Sequence, residues 1–505
     1  MSEELNGELS ELLQQRRLKL EALREMGMDP YPLRSDCNCS AAQAVEMLRE
    51  WKEAGKEGEP PTLVKVCGRM MSTRVMGKAS FAHIADGSGR IQIYLRLAED
   101  GVDEATYELF KRYLDIGDIV QAEGRLFFTR TGEPTLRTTG LKLLAKSLLP
   151  LPEKWHGLKD VETRYRQRYL DLIVNEEVRR VFVTRSRIVA ALRRFMDSRG
   201  FMEVETPVLQ PVYGGAMARP FTTYYHALDQ EVFLRIADEL YLKRLIVGGL
   251  DRVYEICKDF RNEGVSSQHN PEFTQLEVYQ AYADYHDMMR LAEDAFSHVA
   301  TEVLGGPQIQ YQGQEIDLTP PWRRLPMRDA ILEQTGIDIY EFPTFEALRT
   351  GVEKSGLEVD PQPTRGTLVD EIFSEYVEPK LIQPTLITDF PLEISPFAKK
   401  KPDRPDLVER FELFIGGLEL GNAFTELNEP LDQRERFLEQ VRQRAAGDEE
   451  AHPMDEDYVQ ALEYGMPPTG GMGWGIDRMV MLLTDQSSIR EVILFPHLRT
   501  KRASP

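Results

Sequence analysis

Hydrophobic residues return at helical spacing near the start of the chain. Between residues 4 and 27, leucines recur every three or four positions with polar residues between them, which predicts an amphipathic helix. The pattern stops before Asp29-Pro30, as expected at a helix end. A second helix is predicted over residues 41–54, followed by a linker over residues 55–61. Residues 1–60 are therefore expected to form a helical extension.

The pattern changes to alternation between residues 61 and 148. FAHIAD and RIQIYLRL flank a Gly-Ser-Gly turn, which predicts a hairpin, and further alternating runs predict about five short strands in all. A helix is predicted in their midst, over residues 104–114. This element order is typical of an OB-fold β-barrel, which binds single-stranded nucleic acid by stacking bases on aromatic side chains. A Pro-containing linker is expected over residues 149–172.

A long α+β region is predicted over residues 173–505. Helical periodicity covers residues 176–199, 284–303, 432–445 and 476–484, and the strands are FMEVETP, RVYEICKDFR, FTQLEVYQAY, FELFIGG and LELGNAF. The absence of a simple βαβ repeat favours a mainly antiparallel sheet flanked by helices. Residues 320–385 have a more helical pattern and are expected to be a helical insertion.

Composition limits the partners of the chain. Its net charge of −21 argues against nucleic acid as a ligand of the whole surface, but residues 61–150 carry a net charge of +3, so the barrel could hold an RNA contact. Four cysteines without metal-binding spacing fit a reducing cytosol. The acidic N-terminus is unlike a signal peptide, and no apolar run approaches the roughly 20 residues of a membrane span. We expect a cytoplasmic protein without a membrane contact.

The strongest candidate site lies in residues 252–285, where two alternating runs flank a polar loop at residues 262–271. Strand parity places Phe273, Glu277 and Tyr279 on one face of the predicted hairpin. Arg261 at the hairpin end could hold a phosphate by two parallel bonds, and Phe273 could stack on a purine. On charge alone, the same pattern is also typical of a surface hairpin with scattered charges.

Two further segments carry candidate anion and metal chemistry. Glycines before residue 476 run into a helix whose first turn holds Arg478, which suits a phosphate although it also fits a solvated arginine. FELFIGGLEL predicts a hairpin that places Glu412 diagonal to Glu419 on one face, and such a carboxylate pair near phosphates suits Mg²⁺. Taken singly, each glutamate fits a solvated strand residue as well.

A strand irregularity is expected immediately after this hairpin. Asn422, Phe424 and Glu426 share one parity, whereas Glu419 has the other. If both sets face one site, a β-bulge is needed, and Gly421 is the natural place for it.

These segments resemble the three signature motifs of class II aminoacyl-tRNA synthetases, in the form of the bacterial lysyl-tRNA synthetases. GFMEVETPVLQP resembles motif 1, FRNEG with HNPEFTQLEVYQAYADY resembles motif 2, and GMGWGIDRMVMLLT resembles motif 3, where Trp474 replaces an expected aliphatic residue. The resemblance covers residues 5–500. It implies an OB-fold anticodon-binding domain followed by a class II catalytic domain, and a homodimer. The implied reaction activates L-lysine with ATP and Mg²⁺ and loads it onto the 3′ end of tRNA(Lys).

The resemblance also implies residue roles. It places ATP against Arg261, Glu263, His269, Asn270, Phe273, Gly475 and Arg478, with Arg261 and Arg478 as the catalytic cations on the α- and γ-phosphates. It places lysine against Gly215, Glu239, Glu277, Tyr279, Asn422, Phe424 and Glu426, and Mg²⁺ against Glu412 and Glu419. It places the anticodon against Arg69, Phe81, Gln92 and Glu133. Glu277 and Tyr279 are expected at the ε-ammonium of lysine, and Glu239 and Glu426 nearer its α-ammonium and the site floor.

Three other functions remain open at this point. They are a non-catalytic RNA-binding paralogue, a ligase that loads a lysine-like residue onto a protein, and an ATP-dependent asparagine synthetase on a related fold. The barrel argues against the second and third, and the retained arginines and glutamates argue against the first. Tyr165, Arg166, Arg168 and Tyr169 could join the two domains or touch tRNA, and the sequence does not choose between these roles.

Overall fold

The computed structural model describes residues 2–152, 158, 160–445 and 452–499. The chain divides into two units, Met1–Lys159 and Asp160–Pro505. Residues 153–157 and 159 of the expected linker lie outside the described residues. Its later part differs from the expectation, because residues 160–172 belong to the second unit and largely form helices there. Within the described chain, no helix combines the length and apolar character needed to cross a membrane.

A closed five-stranded barrel forms the body of the first unit, as the sequence predicts. Its strands, in the barrel order β1-β2-β3-β5-β4, are β1 Val64–Met76, β2 Ala79–Ala85, β3 Arg90–Arg96, β4 Ile119–Phe128 and β5 Pro134–Ala145. Its helices are α1 Ser2–Glu25, α2 Ala41–Glu53 and α3 Glu104–Glu108, the last continued by a π-helical turn over Leu109–Tyr113. Alternate residues of each strand fill the barrel, and helix α2 packs its buried stripe onto the same core.

An eight-stranded sheet forms the centre of the second unit, in the order β14-β15-β16-β17-β18-β11-β10-β6. All neighbours are antiparallel except the pairs β14–β15 and β10–β6. The strands of this unit are β6 Met202–Glu203, β7 Leu209–Gln210, β8 Thr222–Tyr225, β9 Gln230–Leu234, β10 Arg252–Phe260, β11 Glu272–Ala281, β12 Gln308–Tyr311, β13 Gln314–Asp317, β14 Arg323–Pro326, β15 Thr385–Thr388, β16 Arg410–Ile415, β17 Leu418–Thr425 and β18 Thr469–Gly475.

Helices cover one face of this sheet. The helices of the unit are α4 Val161–Arg166, α5 Arg168–Val174, α6 Glu176–Ser198, α7 Glu239–Val247, α8 Tyr285–Leu304, α9 Met327–Thr335, α10 Phe345–Ser355, α11 Arg365–Tyr376, α12 Pro430–Ala445, α13 Glu456–Glu463, α14 Ile476–Leu483 and α15 Ile489–Val492. α6, α8 and α14 pack on the sheet in one buried cluster with Leu276 and Val278 of β11. Because strand side chains alternate, Gln275, Glu277 and Tyr279 of β11 point to the other face.

Residues 320–385 differ from the expected helical insertion. They do contain the helices α9, α10 and α11, but β14 at one end and β15 at the other are strands of the central sheet. β15 is buried along its whole length. A segment whose two ends are hydrogen-bonded into the sheet is part of the fold, because its removal would leave an edge of the sheet without its strands.

Candidate active site

A pocket of about 380 Å³ lies on the sheet face opposite the helical core, and it collects the predicted site residues. The predicted ATP-binding residues in its wall are Arg261, Glu263, His269, Asn270, Phe273, Gly475 and Arg478. The predicted lysine-binding residues in its wall are Gly215, Glu239, Glu277, Tyr279, Asn422 and Phe424. Of the two predicted metal ligands, Glu419 lines the pocket and Glu412 does not. The remaining predicted lysine-binding residue, Glu426, is also not in the pocket wall.

One end of the pocket is cationic. Arg261 follows β10 directly and lies over the ring of Phe273, with its guanidinium carbon 5.1 Å from the ring centroid. Arg478 in the first turn of α14 donates from Nη1 to the Glu419 backbone oxygen at 2.6 Å and to its carboxylate at 3.1 Å. Its Nη2 is 3.1 Å from Nε2 of His269. Burial and the charge of Arg478 lower the pKa of His269, which favours a neutral ring that accepts this bond.

Two carboxylates stand beside this cationic end. Arg410 donates to Glu412 at 2.5 Å and, from Nε, to Asn422 at 3.1 Å. Burial raises the pKa of Glu412 to about 8, with Glu419 as a further cause. Glu419 lies near Glu412 because both are on one face of the β16–β17 ladder, where Phe414 opposes Glu419 and Glu412 opposes Asn422.

A β-bulge in β17 puts Glu419 and Asn422 on this same face. Leu413 pairs with Gly421 while the next residue, Phe414, pairs with Glu419, so Leu420 has no partner of its own in the ladder. The bulge expected at Gly421 is therefore confirmed. It allows two residues three positions apart to point into one site, which a regular strand forbids.

The other end of the pocket is acidic and buried. Glu277 accepts from the hydroxyl of Tyr279 at 2.9 Å and from the side-chain amide of Gln275. Burial, with Glu239 and Asp259 nearby, raises the pKa of Glu277 to about 8. A buried carboxylate in such a place gains from a cation, because the cation offsets the cost of its burial.

The acidic end also contains a cation that the sequence analysis missed. Lys243 of α7 is fully buried and contacts Glu239 at 2.5 Å and, on its other side, Glu426. Its Nζ lies 5.2 Å from the ring centre of Phe397 and 5.3 Å from that of Phe424. Burial disfavours its charge, yet the two glutamates hold the pKa of Lys243 above its ordinary value. Lys243 is not in the pocket wall, and it gives Glu239 and Glu426 a cationic partner within the protein.

Glycines of β18 form the floor between the site residues. Gly473 pairs with Glu277 on one side and Asn422 on the other, and Gly471 pairs in the same way with Tyr279 and Phe424. A Cβ atom at Gly473 would overlap the Glu277 carboxylate, and one at Gly471 would overlap Glu426 and the Tyr279 ring. The pocket exists because this strand has no side chains on that face.

The barrel carries a separate surface of aromatic and polar side chains. Phe81 and Tyr94 are cross-strand partners with ring centres 4.8 Å apart. Glu133 accepts from Gln92 at 2.9 Å and lies 2.8 Å from the ring of His83. Phe81, Gln92 and Glu133 thus belong to one surface, which we call the β2–β3 face and define by Phe81, His83, Gln92, Tyr94 and Glu133.

Arg69 of β1 lies on the same side of the barrel wall as the β2–β3 face. It opposes Ala85 of β2, whereas Phe81 opposes Arg74 farther along β1, and Ala85 and Phe81 have the same strand parity. Its Nη1 donates to the Gly117 backbone oxygen at 2.7 Å. This bond orients the Arg69 side chain, and its contact with the anticodon stays a prediction.

Comparison with known proteins bears on both units. Residues 160–499 match the family described as tRNA synthetases class II (D, K and N), and residues 64–144 match the OB-fold nucleic acid binding domain. A lysine–tRNA ligase of Pelotomaculum thermopropionicum is 57% identical over 98% of this chain and 96% of its own length. A lysine–tRNA ligase of Roseiflexus castenholzii is 57% identical over 98% of this chain and 100% of its own length. One of Chloroflexus aurantiacus is 55% identical over 98% of this chain and 99% of its own length. The chain belongs to the lysine–tRNA ligase family of class II synthetases.

Two signals for missed residues of this ligase were present in its sequence. Lys243 follows Glu239 by four positions on an apolar helix, the spacing of a helical ion pair. His83 and Tyr94 share the strand parity of Phe81 and Gln92 across the predicted hairpin. Trp474, the one departure noted in motif 3, packs its ring 5.8 Å from that of Phe296 on the core side of the sheet.

The residues after the linker make contacts inside the catalytic unit. Arg168 is fully buried, donating to Asp171 at 2.6 Å and to the Leu494 backbone oxygen at 3.1 Å. The hydroxyl of Tyr165 donates to Glu491 at 2.9 Å. Both side chains therefore fix this segment against the C-terminal helices of the unit.

Proposed function

We propose that this chain activates L-lysine with ATP, giving lysyl-adenylate and pyrophosphate, and then transfers the lysyl group to the 3′ end of tRNA(Lys). The observation that carries the proposal is that buried Glu277 lines the same pocket as Arg261 and Arg478. One end of this pocket suits a cationic amino-acid tail, and the other suits a chain of phosphates.

Positioning and electrostatics supply the chemistry of the first step. A lysine carboxylate oxygen attacks the α-phosphorus of ATP, and the new P–O bond forms as the bond to pyrophosphate breaks. Arg261 stands where negative charge builds on the α-phosphoryl oxygens, and Arg478 holds the departing phosphates. In the second step a ribose hydroxyl of the tRNA attacks the acyl carbon and AMP leaves. No protein nucleophile is needed for either step.

Glu412 and Glu419 fit a magnesium ion by the chemistry of their donor set. Two carboxylates on one face beside a phosphate site match the preference of Mg²⁺ for few protein oxygens plus phosphate oxygens. When bound, the ion supplies positive charge to the phosphate chain. Arg410 keeps Glu412 oriented through its 2.5 Å hydrogen bond.

Selection of lysine falls to the acidic end. Tyr279 lies between Glu277, to which it donates, and Glu426, which is its neighbour across Gly471. We place the ε-ammonium at Glu277 and Tyr279, with Glu426 beneath them. Lys243 offsets one of the two negative charges that Glu239 and Glu426 would otherwise leave buried. A pocket built to pair an ammonium rejects analogues lacking it by about 10⁴–10⁵-fold.

A panel of amino acids in an ATP–pyrophosphate exchange assay tests this function. We expect exchange with L-lysine alone and, in a second assay, acylation of tRNA(Lys). Exchange with aspartate would support asparagine synthesis, and exchange followed by loading of a protein acceptor instead of tRNA would support the protein-modifying alternative. Binding of tRNA without any exchange would support the non-catalytic paralogue.

Lysine binding should depend on pH through Glu277. Because burial raises the pKa of Glu277 to about 8, the free carboxyl is mostly protonated at neutral pH and must lose its proton to pair with the ammonium. The affinity should therefore rise about tenfold per pH unit up to about pH 8 and level off above it. Isothermal titration calorimetry in buffers of different ionisation enthalpy measures the affinity and the released proton.

Glu277→Gln is the control for this dependence. The amide keeps the shape and the bond from Tyr279 but cannot titrate, so weak and pH-independent lysine binding is expected. An unchanged pH profile in Glu277→Gln would show that another group controls the affinity.

Phe81 on the β2–β3 face should contribute to tRNA affinity. Loss of a base-stacking ring costs about 1–3 kcal/mol, so Phe81→Ala should raise the KM for tRNA roughly 5- to 150-fold. Phe81→Tyr keeps the ring and should stay close to the parent chain. Exchange of pyrophosphate without tRNA should be equal in all three proteins, and a parent-like KM in Phe81→Ala would remove Phe81 from the anticodon site.

A symmetric homodimer is also proposed, with motif 1 at its interface. β6 is an edge strand of the large sheet, and Met202, Val208 and Leu209 nearby are exposed apolar side chains. Exposed apolar clusters of this kind commonly mark protein interfaces. Light scattering after gel filtration should give twice the chain mass, and Met202→Glu with Leu209→Glu should shift the mass toward the monomer.

A further inference from the structure

Beside the pocket, on the same face of the sheet, lies a buried group of metal-type donors that the proposed reaction does not use. Asp238 precedes α7, and Glu255 and Cys257 belong to β10. One donor atom from each of the three lies within 4.8 Å of the other two, and all three side chains are buried. None of the three lines the substrate pocket.

Asp238 provides the second observation that points to a ligand. The residue has no solvent exposure, and neither of its carboxylate oxygens has a hydrogen-bond partner in the described chain. More than 90% of buried polar groups in proteins are paired, so a buried carboxyl with both oxygens unpaired is unusual. An acid left so is either protonated or bound to a cation.

The surrounding charges favour a cation. Arg235 donates to Glu255 at 2.7 Å and lies 3.4 Å from Asp259, so its guanidinium is shared between two buried acids. Thr206 holds the other oxygen of Glu255 through its backbone N–H at 3.0 Å and its hydroxyl at 2.8 Å. These hydrogen bonds fix the orientation of Glu255, as outer hydrogen bonds do for the ligands of metal sites. The Glu255 oxygen that accepts from Arg235 keeps one lone pair for a metal ion.

We propose that Asp238, Glu255 and Cys257 bind one divalent transition-metal ion of the Zn²⁺ class. A thiolate with two carboxylates suits Zn²⁺ or Co²⁺, whereas Mg²⁺ avoids sulfur and belongs with all-oxygen sites. Burial raises the pKa values of Asp238 and Cys257 well above their ordinary range, so the ion-free site holds protons that metal binding releases. The bound ion would tie the start of α7, which carries Glu239 and Lys243, to β10.

Metal analysis of the full-length chain tests the proposal. The tag-free protein is produced in minimal medium with Zn²⁺ or Co²⁺, passed through gel filtration in excess Mg²⁺, and measured by inductively coupled plasma mass spectrometry. We expect one Zn²⁺ or Co²⁺ per chain. The Co²⁺ form should also show a near-ultraviolet sulfur-to-cobalt charge-transfer band, which a site without Cys257 cannot produce.

Matched variants locate the ion. Cys257→Ser should lose the band, and Asp238→Asn should lose the bound metal. Cys39→Ser, which changes a buried cysteine of the other unit, should keep both. If a variant fails to fold, the measurements on the parent chain still test the proposal. A parent chain that contains no stoichiometric metal and shows no charge-transfer band would overturn it. Metal retained in Cys257→Ser but lost in Glu412→Gln would overturn it as well, since the ion would then lie at the proposed magnesium pair.

Discussion

Arg261→Ala is expected to abolish lysine-dependent pyrophosphate exchange while the fold survives. Arg261 lines the pocket beside Phe273 and is the guanidinium proposed to meet the α-phosphate. Removal of one preorganised donor that faces developing charge costs about 10²–10³-fold in kcat, and removal of a full cation should cost at least that much. Initial exchange rates at saturating ATP and lysine measure the loss, with circular dichroism as the check on folding.

Two companion variants make this result specific. Arg261→Lys keeps the charge but loses the two parallel bonds, so intermediate activity is expected. Arg252→Ala removes an exposed arginine at the far end of the same strand and should leave the rate unchanged. Exchange at the parent rate in Arg261→Ala would contradict the proposal that Arg261 binds the α-phosphate.

Lys243→Met should give the second large effect, on stability. It removes the buried cation between Glu239 and Glu426 and leaves two carboxylates without a partner in a dry environment. Breaking a buried ion pair by removal of one member costs about 3–5 kcal/mol. Urea unfolding followed by tryptophan fluorescence should show a lower midpoint, and lysine-dependent exchange should fall with it because both acids flank the proposed lysine site.

Paired substitutions distinguish charge from packing at this position. Lys243→Met combined with Glu426→Gln removes one of the stranded charges and should recover part of the lost stability. Lys258→Met changes a lysine whose side chain is 41% exposed and 3.8 Å from its partner Glu272, so a change within about 0.5 kcal/mol is expected. Equal midpoints for Lys243→Met and Lys258→Met would show that the buried cation contributes nothing measurable.

The sequence alone predicts the parts of the site that depend on strand parity. Period-two alternation in β10 and β11 assigns Glu277 and Tyr279 to one face, and the structure places both in the pocket wall. Parity also exposes the conflict between Glu419 and Asn422, from which the bulge at Gly421 follows. These are local properties, so the pattern within a few residues determines them.

Properties that depend on distant partners escape the same reasoning. β18 lies in the middle of the sheet, although its glycines have a low propensity for β-strands. Only the side chains of the neighbouring strands β11 and β17 explain why glycine is required there. Lys243 carries a side chain that is usually solvated, and its burial depends on Glu426, which lies far along the chain. β14 and β15 are short strands at the two ends of the segment of residues 320–385. β14 pairs with β15, and β15 also pairs with β16, which lies outside that segment.

If Arg478 meets a phosphate and Glu419 a cation, as we propose, the contact between these two side chains couples the binding of metal and nucleotide. In the chain alone, each of the two groups neutralises the other. Glu419 can ligate a cation fully only as its hold on Arg478 weakens, and Arg478 can reach a phosphate fully only under the same condition. Each ligand thus lowers the free-energy cost of admitting the other, and thermodynamic reciprocity requires the enhancement to be equal in both directions.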